Sequence, residues 1–425
     1  MSDVLYLVHR LPYPPNKGDK VRSYHLLKHL AAKHRVFLGT FIDDPDDAQH
    51  IDTLRSMCAG LHVEPLHPRF ARVRSLSGLL TGEALTLPYY RTAALAAWVE
   101  RTIAEHHPDA AVIFSSAMAQ YVPAGSGLPT LIDLVDVDSA KWTQYADQHR
   151  WPLSWLYRRE GQTLLQFERA VVQRAVHSFL VTDAEVELFL KLAPECAGRV
   201  DAVGNGVDAE YFSPHHIQPS PFAADEISVV FTGAMDYWPN VDAVTWFASD
   251  ILPSLCVSVP SVRFYIVGMR PAPAVQALAS ERVIVTGTVT DVRPYLAHAR
   301  AVVAPLRVAR GIQNKVLEAM AMGRPVIASS SCAGGIDATP GEEFETATDA
   351  ATFVTQISAL LQNPDRAEAI GRAARRLVQQ RYSWDARLAW IDRYLESADP
   401  EKGRALGRIE AGTTLAEPLP SGQSA

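Results

Sequence analysis

The chain is poor in cysteine and has no long apolar run. Four of its 425 residues are cysteines, and they stand far apart: Cys58, Cys196, Cys256 and Cys332. This spacing argues against a disulfide framework and against a zinc site, and it favours a reducing compartment. Because no apolar run approaches the ~20 residues needed to span a bilayer, any membrane contact is expected to be peripheral.

Dense runs of lysine and arginine are also missing, and the formal net charge is −7. Both features argue against a nucleic-acid partner. The N-terminus has no basic region, and only five apolar residues, Val4 to Val8, precede a proline-rich stretch. This segment is expected to be a first β-strand and not a signal peptide. We therefore predict a cytoplasmic protein, and any contact that it makes with the cytoplasmic face of the inner membrane is expected to be peripheral.

Short apolar runs alternate with helical patterns along most of the chain, as in parallel sheets covered on both faces. The length predicts two domains. Strands of the first are expected at 4–8, 36–40, 111–114, 130–134 and 178–181, and strands of the second at 227–232, 263–267, 282–285, 301–304 and 325–328.

The domain boundaries follow from a glycine-rich and proline-rich seam at residues 200–221. We predict an N-terminal domain over 1–205, a C-terminal domain over 206–383 and a last helix over 384–397. Residues 398–425 are rich in Gly, Pro, Ser and Glu without periodicity, and are predicted to be a disordered tail.

The most informative stretch covers residues 311–329 and reads GIQNKVLEAMAMGRPVIAS. Its helix is apolar on most sides, yet Lys315 and Glu318 interrupt it. Unpaired N–H groups at the helix start, Gly311 to Asn314, can receive a diphosphate, with Lys315 adding a full charge. Glu318, one turn deeper, can accept hydrogen bonds from two ribose hydroxyls. The alternative is an ordinary i,i+3 ion pair on a solvated edge.

A second candidate is the long loop after the first strand, HRLPYPPNKGDKVRS at 9–23. Gly18 would let the backbone approach a phosphate or sugar closely, and Lys17, Lys20 and Arg22 would supply positive charge around it. The alternative is a solvated loop stiffened by proline. His9, directly after the strand, is the histidine that we would test for catalysis, with a loop hydrogen bond as its alternative role.

Three aspartates at the end of a predicted strand, Asp133, Asp136 and Asp138, are costly unless used. They can orient an acceptor hydroxyl, accept its proton or bind a metal, although the glycine and distal glutamate of a calcium loop are missing. Asp138 or Ser139 can instead cap the following helix. Gly233 opens the second domain in a strand–turn pattern that can face the same ligand, or it forms a plain tight turn.

Taken together, these segments resemble the retaining GT-B glycosyltransferases of family 4 over nearly the whole chain to about residue 397. The resemblance rests on the Gly18 loop and on VGNGVD, FTG, VTGTVTDVRPYL, NKVLEAMAMGRPVIAS and YSWDARLAWIDRYL. More narrowly, VHRLPYPPNKGDKVRSYHLL, DLVDVDSAKWTQYA, FTGAMDYWPNVDAV and GIQNKVLEAMAMGRPV look like the sugar transferases associated with PEP-CTERM/exosortase exopolysaccharide clusters.

The resemblance implies an α/β fold with two Rossmann-like, doubly wound domains facing across a cleft. The second domain would hold most of the nucleotide, the first would hold the acceptor, and the helix 384–397 would cross back onto the first. Glu318 corresponds to the family's ribose-binding glutamate and Gly18 to its phosphate-contacting glycine. Asp136 falls near the family's acceptor-side histidine.

Two departures from the family pattern concern the diphosphate. The family often has two glutamates with seven residues between them, and the first of these positions is occupied here by Arg310. The basic pair that commonly follows the domain-two glycine is missing, since Met235 and Asn240 stand about where it would be. Arg310 and Lys315 are therefore expected to neutralise the diphosphate.

We accordingly predict a retaining hexosyltransferase that moves a sugar from a nucleoside-diphosphate sugar to a lipid-linked or oligosaccharide precursor of an exopolysaccharide. Asp136, Arg310 and Lys315 are the predicted catalytic residues. Donor-binding residues are predicted to be Gly18, Gly233, Gly311, Asn314, Lys315 and Glu318. No metal or other cofactor is expected. The alternatives are a sugar-nucleotide 2-epimerase and a catalytically silent scaffold subunit.

Overall fold

The chain divides into two compact units. The computed structural model describes residues 2–15, 18–215, 219–309 and 312–398. One unit holds the chain up to Gly204 and takes it up again from Leu388, and the other spans Asn205–Arg387. The predicted tail lies outside the described residues, apart from Ala398.

The first unit is built on a parallel sheet that has seven strands in the described ranges, in the order β3-β2-β1-β4-β5-β6-β7. The strands are β1 Asp3–Val8, β2 Arg35–Ile42, β3 Gly60–Pro65, β4 Ala110–Phe114, β5 Thr130–Val135, β6 His177–Leu180 and β7 Val200–Ala202. Apart from the edge strands β3 and β7, the apolar side chains of these strands are buried on both faces, because helices cover both sides of the sheet.

The helices of this unit are α1 Gly18–Lys33, α2 Ile51–Met57, α3 Pro68–Ser75, α4 Gly78–Thr81, α5 Thr86–Tyr89, α6 Ala93–His106, α7 Asp138–Gln148, α8 Leu153–Arg174 and α9 Asp183–Leu192. Two of them, α6 and α9, begin with a side-chain cap. Thr92 and Thr182 accept the backbone N–H groups of Leu95 and Glu185 and so define the starts of α6 and α9.

The second unit repeats this plan with a parallel sheet of six described strands, in the order β10-β9-β8-β11-β12-β13. They are β8 Ile227–Thr232, β9 Val262–Val267, β10 Val283–Gly287, β11 Ala301–Ala304, β12 Val326–Ser329 and β13 Glu345–Ala347. Its helices are α10 Trp238–Trp246, α11 Leu252–Ser258, α12 Pro273–Gln276, α13 Arg293–His298, α14 Asn314–Ala321, α15 Ser330–Ala333, α16 Ala350–Gln362, α17 Pro364–Leu377 and α18 Trp384–Ala398.

Both sheets change direction of winding at an equivalent place, between β1 and β4 in the first unit and between β8 and β11 in the second. Ligands of open α/β sheets bind outside the carboxyl ends of the strands at such a switch point. His9 follows β1 and Ser115 follows β4, whereas Gly233 follows β8. The topology therefore predicts that a ligand of each unit binds at these loops.

The last helix, α18, begins in the second unit and continues in the first from Leu388 onward. There Asp392 accepts hydrogen bonds from Lys33 at 2.5 Å and pairs with His29 at 2.9 Å. The ring of Tyr394 stacks on His177 with 4.5 Å between centroids. Contacts with α1 and with β6 therefore hold the end of the described chain.

None of the helices in the described ranges is both long enough and apolar enough to cross a membrane.

Candidate functional sites

In the second unit, the predicted residues Lys315 and Gly233 lie next to Asn240 at the end of β8. Lys315 donates a hydrogen bond to the side-chain oxygen of Asn240, and its ammonium lies 4.5 Å from the centre of the Phe231 ring. A Cβ added to Gly233 would lie 2.8 Å from Asn240 Nδ2 and 3.3 Å from Lys315 Nζ. Glycine is required because the backbone passes so close to these two side chains.

The start of α14 offers backbone N–H groups beside this cluster. Asn314 is its first residue and is exposed. The preceding residue, Gln313, provides no side-chain capping hydrogen bond. Unpaired N–H groups at a helix start attract anions. Arg310 and Gly311, the other two predicted residues here, lie outside the described residues.

Lys315 and Glu318 are both half-buried, and their ionisation is shifted toward neutrality. Burial lowers the pKa of Lys315 to about 8. Burial raises the pKa of Glu318 to about 7, against the opposing effect of the Lys315 charge. The side-chain carboxylate of Glu318 makes no hydrogen bond or ion pair among the described residues, so the structure does not contain the alternative i,i+3 pair with Lys315. The carboxylate is left available to a ligand.

Two residues near Glu318 were not singled out from the sequence. The charge of Glu318 is one of the influences that raise the pKa of Tyr211, after burial and Asp291. The guanidinium of Arg293 lies 3.9 Å from the centre of the Tyr211 ring, and Asp291 binds Arg293 at 2.6 Å. Arg293 belongs to the quoted stretch VTGTVTDVRPYL, which was the available signal. An aromatic ring backed by a guanidinium suits stacking of a flat ligand group.

Met235 and Asn240, which stand about where the basic pair was sought, have separate roles. Met235 is fully buried in the core of the second unit. Asn240 donates to the Ala234 carbonyl at 2.9 Å while accepting from Lys315. The cation of this site thus comes from α14, a position that spacing after Gly233 could not reveal.

In the first unit, a cavity of about 710 Å³ opens at the carboxyl ends of β1, β4 and β5. Its polar lining includes His9, Asp19, Asp136, Asp138 and Lys141. Aromatic rings make up much of the remainder: Tyr89, Tyr90, Phe114, Trp142, Tyr145 and Tyr157. Such a lining suits a ligand with apolar or ring-shaped parts and a few hydroxyl groups.

The three predicted aspartates do not form one cluster, because Asp133 has a different partner from Asp136 and Asp138. Asp133 is buried and pairs with Arg22, with Oδ2 2.6 Å from Nε and Oδ1 3.1 Å from Nη2. Asp136 and Asp138 line the cavity instead and share Lys141, at 2.8 and 3.0 Å. Burial lowers the pKa of Lys141, but the two carboxylates outweigh it and raise that pKa above its usual value. Asp133 is therefore structural.

The prediction that Lys20 and Arg22 supply positive charge around Gly18 is wrong. Lys20 and Arg22 are buried within the first unit, where Lys20 pairs with Asp47 and Arg22 pairs with Asp133. Neither cation is accessible to a phosphate, because each is buried and its charge is already neutralised by an aspartate. Gly18 itself is the first residue of α1, and Lys17 lies outside the described residues.

Two strained residues line the cavity. Ser115 has φ of 76° and Val135 has φ of 69°, in the left-handed region that is unfavourable for a β-branched residue. Hydrogen bonds hold this backbone: Ser115 N–H donates to the Asp133 carbonyl at 2.8 Å, and Val181 N–H donates to the Val135 carbonyl at 2.7 Å. Backbone strain of this kind clusters at functional sites.

His9 lies beside these residues with its ring parallel to Phe114, 5.9 Å between centroids. Its Nε2 is 3.6 Å from Asp19 Oδ2, and its buried Nδ1 has no hydrogen-bond partner among the described residues. The contact with His9, together with Arg10, holds the pKa of Asp19 well below its usual value despite burial. A histidine backed by a carboxylate can exchange a proton with a bound hydroxyl.

Ser139 and Asp138 do not cap α7. Ser139 Oγ donates to Glu168 on α8, and burial raises the pKa of Glu168 to about 8. The residue at the cap position, Val137, is held by Glu185, which accepts its N–H at 2.7 Å. Asp138 binds Lys141. Within the described ranges, no three His, Cys, Asp or Glu side chains converge as metal ligands.

A comparison with protein families matches residues 226–363, in the second unit, to the family described as glycosyl transferases group 1. No curated protein sequence matches the chain. The matched stretch contains Gly233, Asn240, Lys315 and Glu318. The prediction of a glycosyltransferase enzyme is confirmed by this domain.

Solved structures match nearly the whole chain. Sucrose-phosphate synthase from Thermosynechococcus elongatus is 18% identical, with coverage of 97% of this chain and 100% of that chain and a TM-score of 0.57. HepE of Anabaena, in complex with UDP, is 16% identical, with coverage of 93% and 100% and a TM-score of 0.57. A glycosyltransferase from Rickettsia africae is 12% identical, with coverage of 93% and 98% and a TM-score of 0.60.

At these identities the structural matches establish the fold. Two parallel-sheet α/β units and glycosyltransferase neighbours confirm the predicted GT-B architecture. Other structures of HepE contain UDP with glucose, or UDP-glucose. The narrower association with PEP-CTERM/exosortase clusters stays a prediction.

Proposed function

We propose that this protein is a retaining glycosyltransferase that transfers a hexose from a nucleoside-diphosphate sugar to a lipid-linked precursor of an exopolysaccharide. The second unit binds the donor and the first binds the acceptor. The reaction takes place at the cytoplasmic face of the inner membrane. The match of residues 226–363 to glycosyltransferases supports the reaction class, and the UDP-sugar complexes of HepE support the donor class.

The observation that carries the donor assignment is the state of Lys315 and Glu318. Both are held half-buried with pKa values near neutrality, and the carboxylate has no partner among the described residues. Desolvation of this kind is costly unless a ligand compensates it. A nucleoside diphosphate does so, because its phosphates pair with the ammonium and its ribose hydroxyls donate to the carboxylate.

Each donor group then has a place. The diphosphate lies at the start of α14, against Asn314 and Lys315. Arg310 and Gly311, which shortly precede this helix in the sequence, are the further residues proposed to bind it. The Gly233 turn lets a phosphate approach the backbone. Tyr211 and Arg293 lie beside Glu318 and suit the nucleobase. Fixed positive charge at the departing diphosphate stabilises the transition state.

The acceptor assignment is supported by the cavity of the first unit. Its aromatic lining suits sugar rings and the adjoining lipid, and Asp136 can orient the hydroxyl that attacks. His9, backed by Asp19, is a further candidate for this role. We propose that the acceptor attacks on the face that the phosphate leaves, so that the departing phosphate takes the acceptor proton and the configuration is retained.

The test is to incubate the purified protein with a panel of nucleotide sugars and lipid-linked acceptors and to follow the anomeric proton by NMR. Transfer with retained configuration is expected. A changed nucleotide sugar formed without any acceptor would identify a 2-epimerase. If the protein shows no turnover and binds no donor across the panel, it is a catalytically silent scaffold subunit.

Arg310 provides a sharper test of the donor site. If it stabilises the departing diphosphate, single-turnover transfer should fall from Arg310 to Arg310→Ala, and fall again in Arg310→Glu, which adds repulsion. A gain of activity in Arg310→Glu would contradict this role. It would indicate a site that has lost the glutamate found in the broader family.

The proposal assigns charge neutralisation to side chains and a helix start, so activity should persist in excess EDTA. A full and reversible loss on chelation would instead assign Asp136 and Asp138 as metal ligands.

A further inference from the structure

Helices α3 and α4 present their large apolar side chains to solvent. Phe70 is 77% exposed and Leu80 is 92% exposed, and Val73, Leu76 and Leu79 are also exposed. The side chains that α3 buries are the small ones, Ala71 and Ser75. An ordinary surface helix has the reverse arrangement, with its large apolar residues in the core.

The segment that leads into α8 repeats this feature. Trp151 is 80% exposed, and Leu153 and Trp155 are exposed as well. We call the eight exposed residues of the two segments the apolar rim: Phe70, Val73, Leu76, Leu79, Leu80, Trp151, Leu153 and Trp155. Exposed apolar residues are normal when scattered singly, but clusters mark interaction sites.

The two segments belong to one surface at the mouth of the first unit's cavity. Arg159, on α8, donates hydrogen bonds to the carbonyls of Gly78 at 2.8 Å and of Glu83 at 3.2 Å. Leu76 from the first segment and Leu156 from the second both line the cavity. A ligand that leaves the cavity on this side meets the apolar rim.

Charge on these segments is of one sign. Residues 65–82 and 149–159 contain six arginines and no aspartate or glutamate, in a chain of net charge −7. The six are Arg69, Arg72, Arg74, Arg150, Arg158 and Arg159. Among the described residues, Arg69, Arg72 and Arg150 have no side-chain hydrogen bond or ion pair. Their charge is open to an external anionic partner.

We propose that the apolar rim inserts into the surface of an anionic lipid bilayer. Exposed Trp, Phe and Leu side chains enter the boundary between head groups and acyl chains, and the arginines pair with anionic head groups. The inference deepens the proposed function and rests on it for one consequence: the cavity mouth is placed at the membrane, where a lipid-linked acceptor can enter. The patch itself is independent of that function.

The experiment is co-sedimentation of the full chain with vesicles, without donor or acceptor. Vesicles of phosphatidylcholine mixed with phosphatidylglycerol should bind the protein, and vesicles of phosphatidylcholine alone should bind it more weakly. The triple variant Phe70→Ser, Leu80→Ser, Trp151→Ser should lower the partition coefficient roughly tenfold or more, since it removes three inserted apolar side chains. Arg69→Gln and Arg150→Gln should each lower it roughly fivefold on the anionic vesicles.

A matched control replaces three exposed apolar residues elsewhere: Val176→Ser, Leu192→Ser, Val257→Ser. It should bind vesicles like the unaltered protein. Circular dichroism and thermal unfolding check that both triple variants fold. Equal vesicle binding by the two triple variants would overturn the proposal.

A second copy of this chain is the other occupant to be tested. If the rim variant changes the oligomeric state in light scattering and leaves vesicle binding unchanged, the surface is a subunit interface and the membrane inference is wrong. Failure of the proposed function is distinguishable from either outcome. It appears as absence of sugar transfer while vesicle binding persists.

Discussion

The two units share one sheet plan but treat the charges at their strand ends differently. In the first unit, Asp133 is neutralised by Arg22, and Asp136 and Asp138 share Lys141. In the second unit, the carboxylate of Glu318 has no partner among the described residues, and Lys315 contacts the neutral side chain of Asn240 and the ring of Phe231. Internal pairing stabilises a fold or orients a group, whereas the unpaired, half-buried charge of the second unit supports the proposal of a ligand site there. The pattern of charges in the sequence does not distinguish these two groups, whereas their pairing in the structure does.

The largest effect is expected for Asp133→Asn. This change leaves the buried guanidinium of Arg22 without its carboxylate, and breaking a buried pair costs about 3–5 kcal/mol of unfolding free energy. Chemical denaturation measures it. Asp136→Asn is the matched control, three residues further on, because its pair with Lys141 is partly exposed and Asp138 remains; about 1 kcal/mol or less is expected. Equal losses in the two variants would remove the distinction between structural and open carboxylates.

Glu318→Ala should weaken donor binding by roughly 1.5–3 kcal/mol, the range for a hydrogen bond to a charged group. Calorimetric titration with nucleotide sugars measures this loss. Glu342, which is exposed in the same unit, supplies the control Glu342→Ala with unchanged affinity. Binding by Glu318→Ala that equals the unaltered protein would show that the ribose assignment is wrong.

Asp136→Asn should lower turnover roughly tenfold or more while donor affinity stays the same, because the residue lies in the unit assigned to the acceptor. Steady-state transfer and donor titration on the same preparation separate the two quantities. An unchanged turnover number would place Asp136 with Lys141 in a purely structural pair.

The smallest effect is the pH dependence of donor affinity. Glu318 must be ionised to accept two hydroxyl groups, so affinity should fall as the pH drops through about 7. Lys315 must be protonated to pair with the diphosphate, so affinity should fall as the pH rises through about 8. Each limb should change affinity by no more than about tenfold per pH unit.

Two variants test which residue causes the acid limb and which causes the alkaline limb of this pH profile. Glu318→Gln should abolish the acid limb, and Lys315→Arg should move the alkaline limb to higher pH because a guanidinium stays protonated. Titration with a nucleotide sugar is appropriate, since its diphosphate does not titrate in this range. If the donor affinity of the unaltered protein does not change with pH, Glu318 and Lys315 do not bind the donor through their charges.

The sequence predicted the central strands well and the edges poorly. β8 and β11 have the predicted bounds, because a continuous apolar run buried on both faces is a strong local signal. β3, β7 and β13 were missed. β7 and β13 are three residues long, β3 is half-buried at the sheet edge, and such strands are defined mainly by pairing with a neighbour.

The candidate site shows the same division. Glu318, Lys315, Gly233 and Asp136 were identified because a charge inside an apolar helix, a glycine after a strand or an acid at a strand end is visible locally. The roles of Lys20, Arg22 and Asp133 were misjudged, because their partners Asp47 and Arg22 lie 27 and 111 residues away in the chain. No local pattern encodes such a pairing.

The sequence by itself determined the alternation of strands and helices, the two-domain GT-B plan and the helix that carries Lys315 and Glu318. The alternation and the helix depend on periodicity and short motifs, which act over a few neighbouring residues. Two domains were expected from the chain length, and the GT-B plan was implied by the resemblance to family 4 glycosyltransferases. Only the tertiary structure decided which charges are paired, that Lys315 contacts Asn240, and that α3 faces its large apolar side chains outward. Burial and pairing depend on residues brought together from distant parts of the chain, because desolvation and Coulomb energy are set by distance in space.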